Sequence, residues 1–149
     1  MGTGVPDMDY LLRDYFRVSQ HLNRLFRRHF KQWDITFPQA LALSVLDRCG
    51  PMPISKLAER TGSANSTTSC VVDRLETLGL ARRIRSGNDR RVILVEVGEA
   101  YATLKEEATI GVEEYFSALL GRLDPEERNH VAQGMSIMEK ALLLADDND

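Results

Sequence analysis

Ile54-Ser-Lys-Leu-Ala-Glu-Arg-Thr-Gly62, Ser63-Ala-Asn-Ser-Thr-Thr-Ser-Cys-Val-Val-Asp-Arg-Leu-Glu-Thr-Leu78, Ala81-Arg-Arg-Ile-Arg85 and Arg90-Arg-Val-Ile-Leu-Val95 are the pieces whose order decides the fold. The first is a short amphipathic helix stopped by Gly62, which permits a tight turn. The second starts with small hydroxyl residues and continues into Val71, Val72, Leu75 and Leu78, the spacing of a helix with one buried face. Gly79-Leu80 then leads into two arginine-rich strands around a Ser86-Gly-Asn-Asp89 loop. Helix, turn, helix and basic hairpin together predict a winged helix-turn-helix, with one helix for a DNA groove and a wing beside it.

Working outward, residues Asp9 to about Gln32 carry Leu11, Tyr15, Val18, Leu22, Leu25 and Phe26 at helical spacing, which predicts one long amphipathic helix. Thr36-Phe-Pro-Gln39 reads as a capping box with proline in the first turn, and the helix it opens ends at Cys49-Gly50-Pro51. After the wing, Tyr101, Leu104, Ala108, Val112, Tyr115 or Phe116, Leu119 and Leu123 trace a second long stripe. Asp124-Pro-Glu-Glu127 opens a last helix through Val131, Met135, Met138, Leu142 and Ala145. The tail Asp146-Asp-Asn-Asp149 is expected to fray.

The expected architecture is mostly α with a small β-hairpin wing. A winged helix-turn-helix core at residues 34–98 is flanked by long dimerisation helices at 1–33 and 99–149. Those terminal stripes hold more apolar side chains than a core of roughly 60 residues can cover, so two chains exchanging helices would bury them. An intramolecular bundle is the alternative.

The chain has a net charge of −3, which alone does not suggest nucleic acid. Its distribution does. Between Ile54 and Val97 eight Lys/Arg face five Asp/Glu, a balance of +3, while the remainder carries −6. Composition, 43% hydrophobic and 28% charged, is ordinary for a globular protein. No apolar run is long enough to cross a bilayer and the N-terminus lacks the pattern of a signal peptide, so a cytoplasmic protein without a membrane partner is expected. No phosphate loop, nucleophile elbow or clustered acid–base pair suggests an enzyme, and no cofactor is implied.

The outward face of the second helix carries Asn65, Ser66, Thr67, Ser69, Cys70, Asp73 and Arg74, short polar groups suited to base edges and phosphates. Ser63 or Asn65 can instead serve as a helix cap, and at least one of these polar residues is expected to be only that. In the wing, Arg82, Arg83, Arg85, Arg90 and Arg91 flank the loop, where arginines can enter a narrow minor groove. A solvated charge run protecting a hairpin edge is the alternative. Asp89 is expected to pair with a neighbouring arginine and fix the loop.

These pieces, with Val72-Asp-Arg-Leu-Glu-Thr-Leu-Gly-Leu80 and Asp89-Arg-Arg91 before Val92 to Val97, resemble the winged-helix domain of MarR-family transcriptional regulators. Thr36-Phe-Pro-Gln39 also fits the start of that family's second helix. The resemblance implies a homodimer on a pseudo-palindromic operator in double-stranded DNA, usually a repressor released by a small ligand or an oxidant. Arg91 and Arg90 match the family's wing arginine. Cys70 stands where the family often has a basic residue, Val97-Gly98-Glu99 replaces its usual Leu-Thr-Glu, and Tyr101 stands where glycine is common.

Candidates for the trigger follow. Tyr15, Trp33, Phe37 and Arg48 supply aromatic walls and a cation for a small aromatic or anionic effector, although each can equally be a core or interface residue. Cys70, near a helix start and basic residues, is a candidate redox-responsive thiol. Cys49 is expected to pack as a small hydrophobe. His21, His29 and His130 show no metal-chelating spacing. A winged helix used for protein–protein contact is the remaining alternative, and it would be expected to expose aromatics on the wing rather than arginines.

Overall fold

A computed structural model describes residues 8–107 and 111–146. Ala108 of the second stripe and the end of the tail therefore lie outside the described residues. The chain divides into two compact units, Met1–Thr109 and Ile110–Asp149.

In the first unit, α1 (Met8–His29) ends earlier than the apolar spacing predicts, and a 3-10 turn at Lys31–Trp33 replaces its last residues. Asp34 then adopts the left-handed conformation (φ 48°) and redirects the chain. In α2 (Phe37–Cys49), Gln39 accepts the Thr36 backbone N–H at 3.0 Å in the expected capping box. Next come α3 (Ile54–Thr61) and α4 (Asn65–Thr77), separated by Gly62 at φ 66°. That left-handed turn lets the Ser63 N–H return to the Ala58 carbonyl at 3.0 Å, which fixes the approach of the two helices.

The core of this unit lies among α2, α3 and α4, around Leu43, Leu46, Leu57, Val72 and Leu75, all buried. The expected apolar face of α4 is only partly buried: Val72 and Leu75 are enclosed, Val71 and Leu78 half so, and Thr68 joins them.

The wing is β1 (Ala81–Arg85) antiparallel to β2 (Ile93–Val97), in register from Ala81 opposite Val97 to Arg85 opposite Ile93. Its base is held from both sides. Met52 and Val95 exchange two backbone bonds of 3.0 and 2.8 Å. On the other side Gly98 approaches so closely that a Cβ there would lie 2.2 Å from the Gly79 carbonyl oxygen. Helix α5 (Glu99–Glu107) follows directly and is tied to α2 through Asp47, which accepts from Lys105 Nζ at 2.8 Å and from the Tyr101 hydroxyl.

The second unit contains α6 (Val112–Leu120) and α7 (Pro125–Asp146). The second stripe is therefore not one unbroken helix. Gly111 sits in extended backbone at the start of α6, as expected for a residue with little helix propensity. Asp124 and Glu127 form the predicted cap of α7, each side chain accepting the other's backbone N–H at 2.8 and 3.0 Å.

Candidate nucleic-acid interface

Helix α4 has Ala64 at its N-cap, a side chain that cannot cap, and no side-chain bond closes the helix start. This corrects the expectation that Ser63 or Asn65 is the cap. The first-turn N–H groups remain open toward an anion, beside the exposed side chains of Asn65, Ser66 and Thr67. Cys70 and Arg74 are exposed further along, and Ser69 is half-buried. Arg74 is not isolated, since its Nη2 lies 3.5 Å from the Asp34 carboxylate at the end of the 3-10 turn.

The wing arginines divide into two groups. Arg83 is drawn inward. Its backbone N–H bonds Glu76 Oε1 at 2.9 Å, its guanidinium bonds the other Glu76 oxygen and Asp73 Oδ1 (2.8 Å), and Ser69 Oγ is 3.5 Å away. Burial alone disfavours this cation, but the bonds and charges of Asp73 and Glu76 outweigh it and hold Arg83 above the ordinary arginine range. Thus Arg83, expected from sequence to meet DNA, braces the wing base against α4. Arg82 pairs across the hairpin with Glu96 at 2.6 Å.

Arg85, Arg90 and Arg91 form the second group: exposed, with no ion pair among the described residues. Arg90 and Arg91 were expected at the start of a strand but lie in the turn, because β2 begins only at Ile93. Asp89 does fix the loop, though by accepting the Arg91 backbone N–H at 3.0 Å rather than by pairing with a guanidinium. The result is a base tied to α4 and a tip presenting three exposed cations.

The effector candidates are less convergent. Trp33 and Phe37 join one aromatic cluster, with Phe30–Trp33 centroids 5.0 Å apart and Phe26–Phe37 centroids 5.5 Å apart. The Trp33 Nε1 donor is buried without an acceptor among the described residues. Tyr15 lies 11 residues before Phe26 on α1, and Arg48 lies 11 residues after Phe37 on α2. At about 1.5 Å per residue each stands roughly 16 Å along its helix from the cluster. Cys49 does not pack as a hydrophobe. It is exposed, and Arg60 Nη1 donates to its Sγ at 3.4 Å.

Sequence reasoning missed three organising residues: Glu76, Asp34 and Thr68. Asp73 and Glu76, three apart on one helix, were the available signal for an arginine socket.

A family model described as MarR family matches residues 35–93, from the start of α2 to the beginning of β2. An uncharacterized HTH-type transcriptional regulator of Bacillus subtilis, YfiV, is 33% identical over 113 residues, covering 73% of this chain and 68% of that one. The organic hydroperoxide resistance transcriptional regulator of the same organism is 31% identical over 93 residues, covering 62% and 63%. Among solved structures, Bordetella bronchiseptica BpsR, described by the regulation of its DNA binding by 6-hydroxynicotinic acid, superposes with a TM-score of 0.71 at 24% identity. The superposition covers 93% of this chain and 98% of that one.

Proposed function

Because the chain belongs to the MarR family of DNA-binding transcriptional regulators, we propose that it acts as a homodimeric repressor that holds a pseudo-palindromic operator until a small ligand releases it. The observation that carries this reading is the sorting of the wing arginines. Arg83 fixes the wing against α4, and Arg85, Arg90 and Arg91 remain exposed at the tip. With α4 in a major groove, Asn65, Ser66, Thr67, Cys70 and Arg74 face bases and phosphates, Ser69 anchors the brace, and the tip arginines reach the flanking minor groove.

Dimerisation is argued from apolar surface. Helix α1 exposes Leu11, Leu12, Tyr15, Phe16 and Val18, and α7 exposes Met135, Ile137, Met138 and Leu142 to Leu144. Stripes of this size on both terminal elements exceed what a monomer leaves in water, and a second copy of the chain supplies matching faces. Ligand release is supported by the buried Trp33 donor, which has no acceptor among the described residues, and by the effector named for BpsR. Exposure of Cys70 on α4 favours a second reading, oxidation as the releasing event.

A salt-series binding assay on DNA from upstream of the protein's own gene, against a random duplex, tests the function. Sequence-preferring binding that weakens steeply with salt supports it. Equal binding to both duplexes, or a monomer by sedimentation, refutes the operator and dimer readings respectively. Alkylation of Cys70 that leaves DNA affinity unchanged removes the redox reading.

A further inference from the structure

Helix α4 carries one cation, Arg74, and two carboxylates, Asp73 and Glu76, both of which are taken up by Arg83 of the wing. The partner of Arg74 comes instead from 40 residues earlier in the chain, where Asp34 Oδ2 lies 3.5 Å from its Nη2. Asp34 sits between the 3-10 turn and α2, and it is the only non-glycine residue at positive φ among the described residues. Its backbone is clamped from both sides. Phe30 and Ile35 are buried, and Thr36 opens α2 in a closed capping box. The left-handed turn explains a short or absent side chain at this position, but asparagine or glycine would serve it equally. What the turn does not explain is the charge.

The pair with Arg74 explains it, and the pair is weak. It is longer than the roughly 2.7–2.9 Å of a strong charge-assisted bond, and it is a single contact rather than a fork. The two side chains are 47% and 90% exposed, so water competes for both. Such a contact adds little to folding, and a guanidinium exchanges it readily for a DNA phosphate, which offers the same kind of anionic oxygen. The carboxylate is one bond from a clamped backbone and does not travel with Arg74. We infer that Asp34 is a built-in competitor of DNA: its carboxylate holds Arg74 in the free protein and is exchanged for a phosphate when a duplex binds.

The inference rests on the reading of α4 as the DNA helix and assigns an affinity-setting role to a residue outside it. Because a phosphate carries no sequence, the competition lowers affinity for operator and random DNA by the same factor. An operator bound through base edges as well stays occupied, while retention on the much larger excess of other sequences falls.

The test is a double-mutant cycle on the full-length protein: parent, Asp34→Asn, Arg74→Ala and the two together. Affinity for DNA from upstream of the protein's own gene and for a random duplex is read by fluorescence anisotropy across a salt series. Asp34→Asn should tighten binding to both duplexes about twofold to fivefold, the range of an exposed ion pair. The gain should be largest at low salt, where that pair is least screened. Arg74→Ala should weaken binding to both and reduce the salt slope by about 0.9. Adding Asp34→Asn to Arg74→Ala should then leave affinity unchanged, because the competition has lost its object. Asp34→Gly, which also suits the left-handed backbone, should repeat the tightening, so the inference does not depend on one variant folding. Weaker binding by both Asp34 variants means that Asp34 positions Arg74 for DNA, and overturns the competition. Equal tightening in the Arg74→Ala background, the mark of a carboxylate that merely repels DNA, overturns it as well. If the parent binds and Arg74→Ala binds like it, this inference alone falls. If the parent and all variants bind no duplex at any salt, the DNA reading of α4 falls and takes the inference with it.

Discussion

Replacing Glu76 by Gln separates two roles for Arg83 by the sign of a single measurement. The Arg83 and Glu76 side chains are 26% and 33% exposed, so their pairing is partly shielded from water, whereas Asp73, at 64%, contributes as a surface partner. A shielded charge-assisted bond contributes about 1–2 kcal/mol, at the lower end of its range, and an exposed pair less than about 1 kcal/mol. Arg83→Ala should thus cost about 2 kcal/mol and lower the thermal midpoint by about 4–8 °C. Glu76→Gln should cost about half that, since the amide oxygen can still accept the Arg83 N–H. DNA affinity then decides. If Arg83 contacted DNA, Glu76→Gln would free its guanidinium, remove a negative charge from the DNA-facing side, and tighten binding. As a brace, the same change lets the wing tip drift, and affinity by fluorescence anisotropy should weaken about threefold to tenfold. Tighter binding by Glu76→Gln, or unchanged stability in both variants, refutes the brace.

Three further outcomes are expected. Arg90→Ala and Arg91→Ala should each weaken binding on all sequences and reduce the salt slope by about 0.9, with little change in thermal midpoint. Gly98→Ala should destabilise by about 2–3 kcal/mol in a denaturant melt, because its Cβ would enter the Gly79 carbonyl. Burial and then the Asp47 carboxylate push Tyr101 up to about 12 from 10.0. Neutral Tyr101 is thus favoured in the fold: its contribution to stability is full below pH 10 and is lost as pH rises toward about 12. In a near-UV absorbance titration of the four tyrosines, Tyr101→Phe should remove the late component.

The helix-turn-helix and its caps were legible because their signals are local. Gly62 marks the turn, Thr36 with Gln39 marks one helix start, and Asp124 with Glu127 marks another, each within a few residues of the structure it dictates. The wing was legible as a wing but not in its division of labour. Which arginine turns inward depends on the register of β1 against α4, set by packing around Leu75 and Leu80 rather than by any adjacent residue. The early end of α1 has the same origin. Phe26, Phe30, Trp33 and Phe37 cluster only if the chain reverses at Asp34, which composition alone does not mark. Apolar and aromatic spacing likewise could not separate residues that share a helix from residues that share a cavity, as Phe37 and Arg48 at opposite ends of α2 show.

Between Arg85 and Ile93 the hairpin is held, among the described residues, by bonds within its own loop, whereas its base is fixed by Met52, Gly79 and the Glu76 socket. Residues can therefore be added to or removed from the tip without disturbing the body of the protein. That makes the loop an interchangeable cassette: lineages, or a designer, can alter the reach and number of its cations while the scaffold stays constant. Preference for flanking DNA would then diversify at this loop faster than at α4, whose outward residues share a helix with the core.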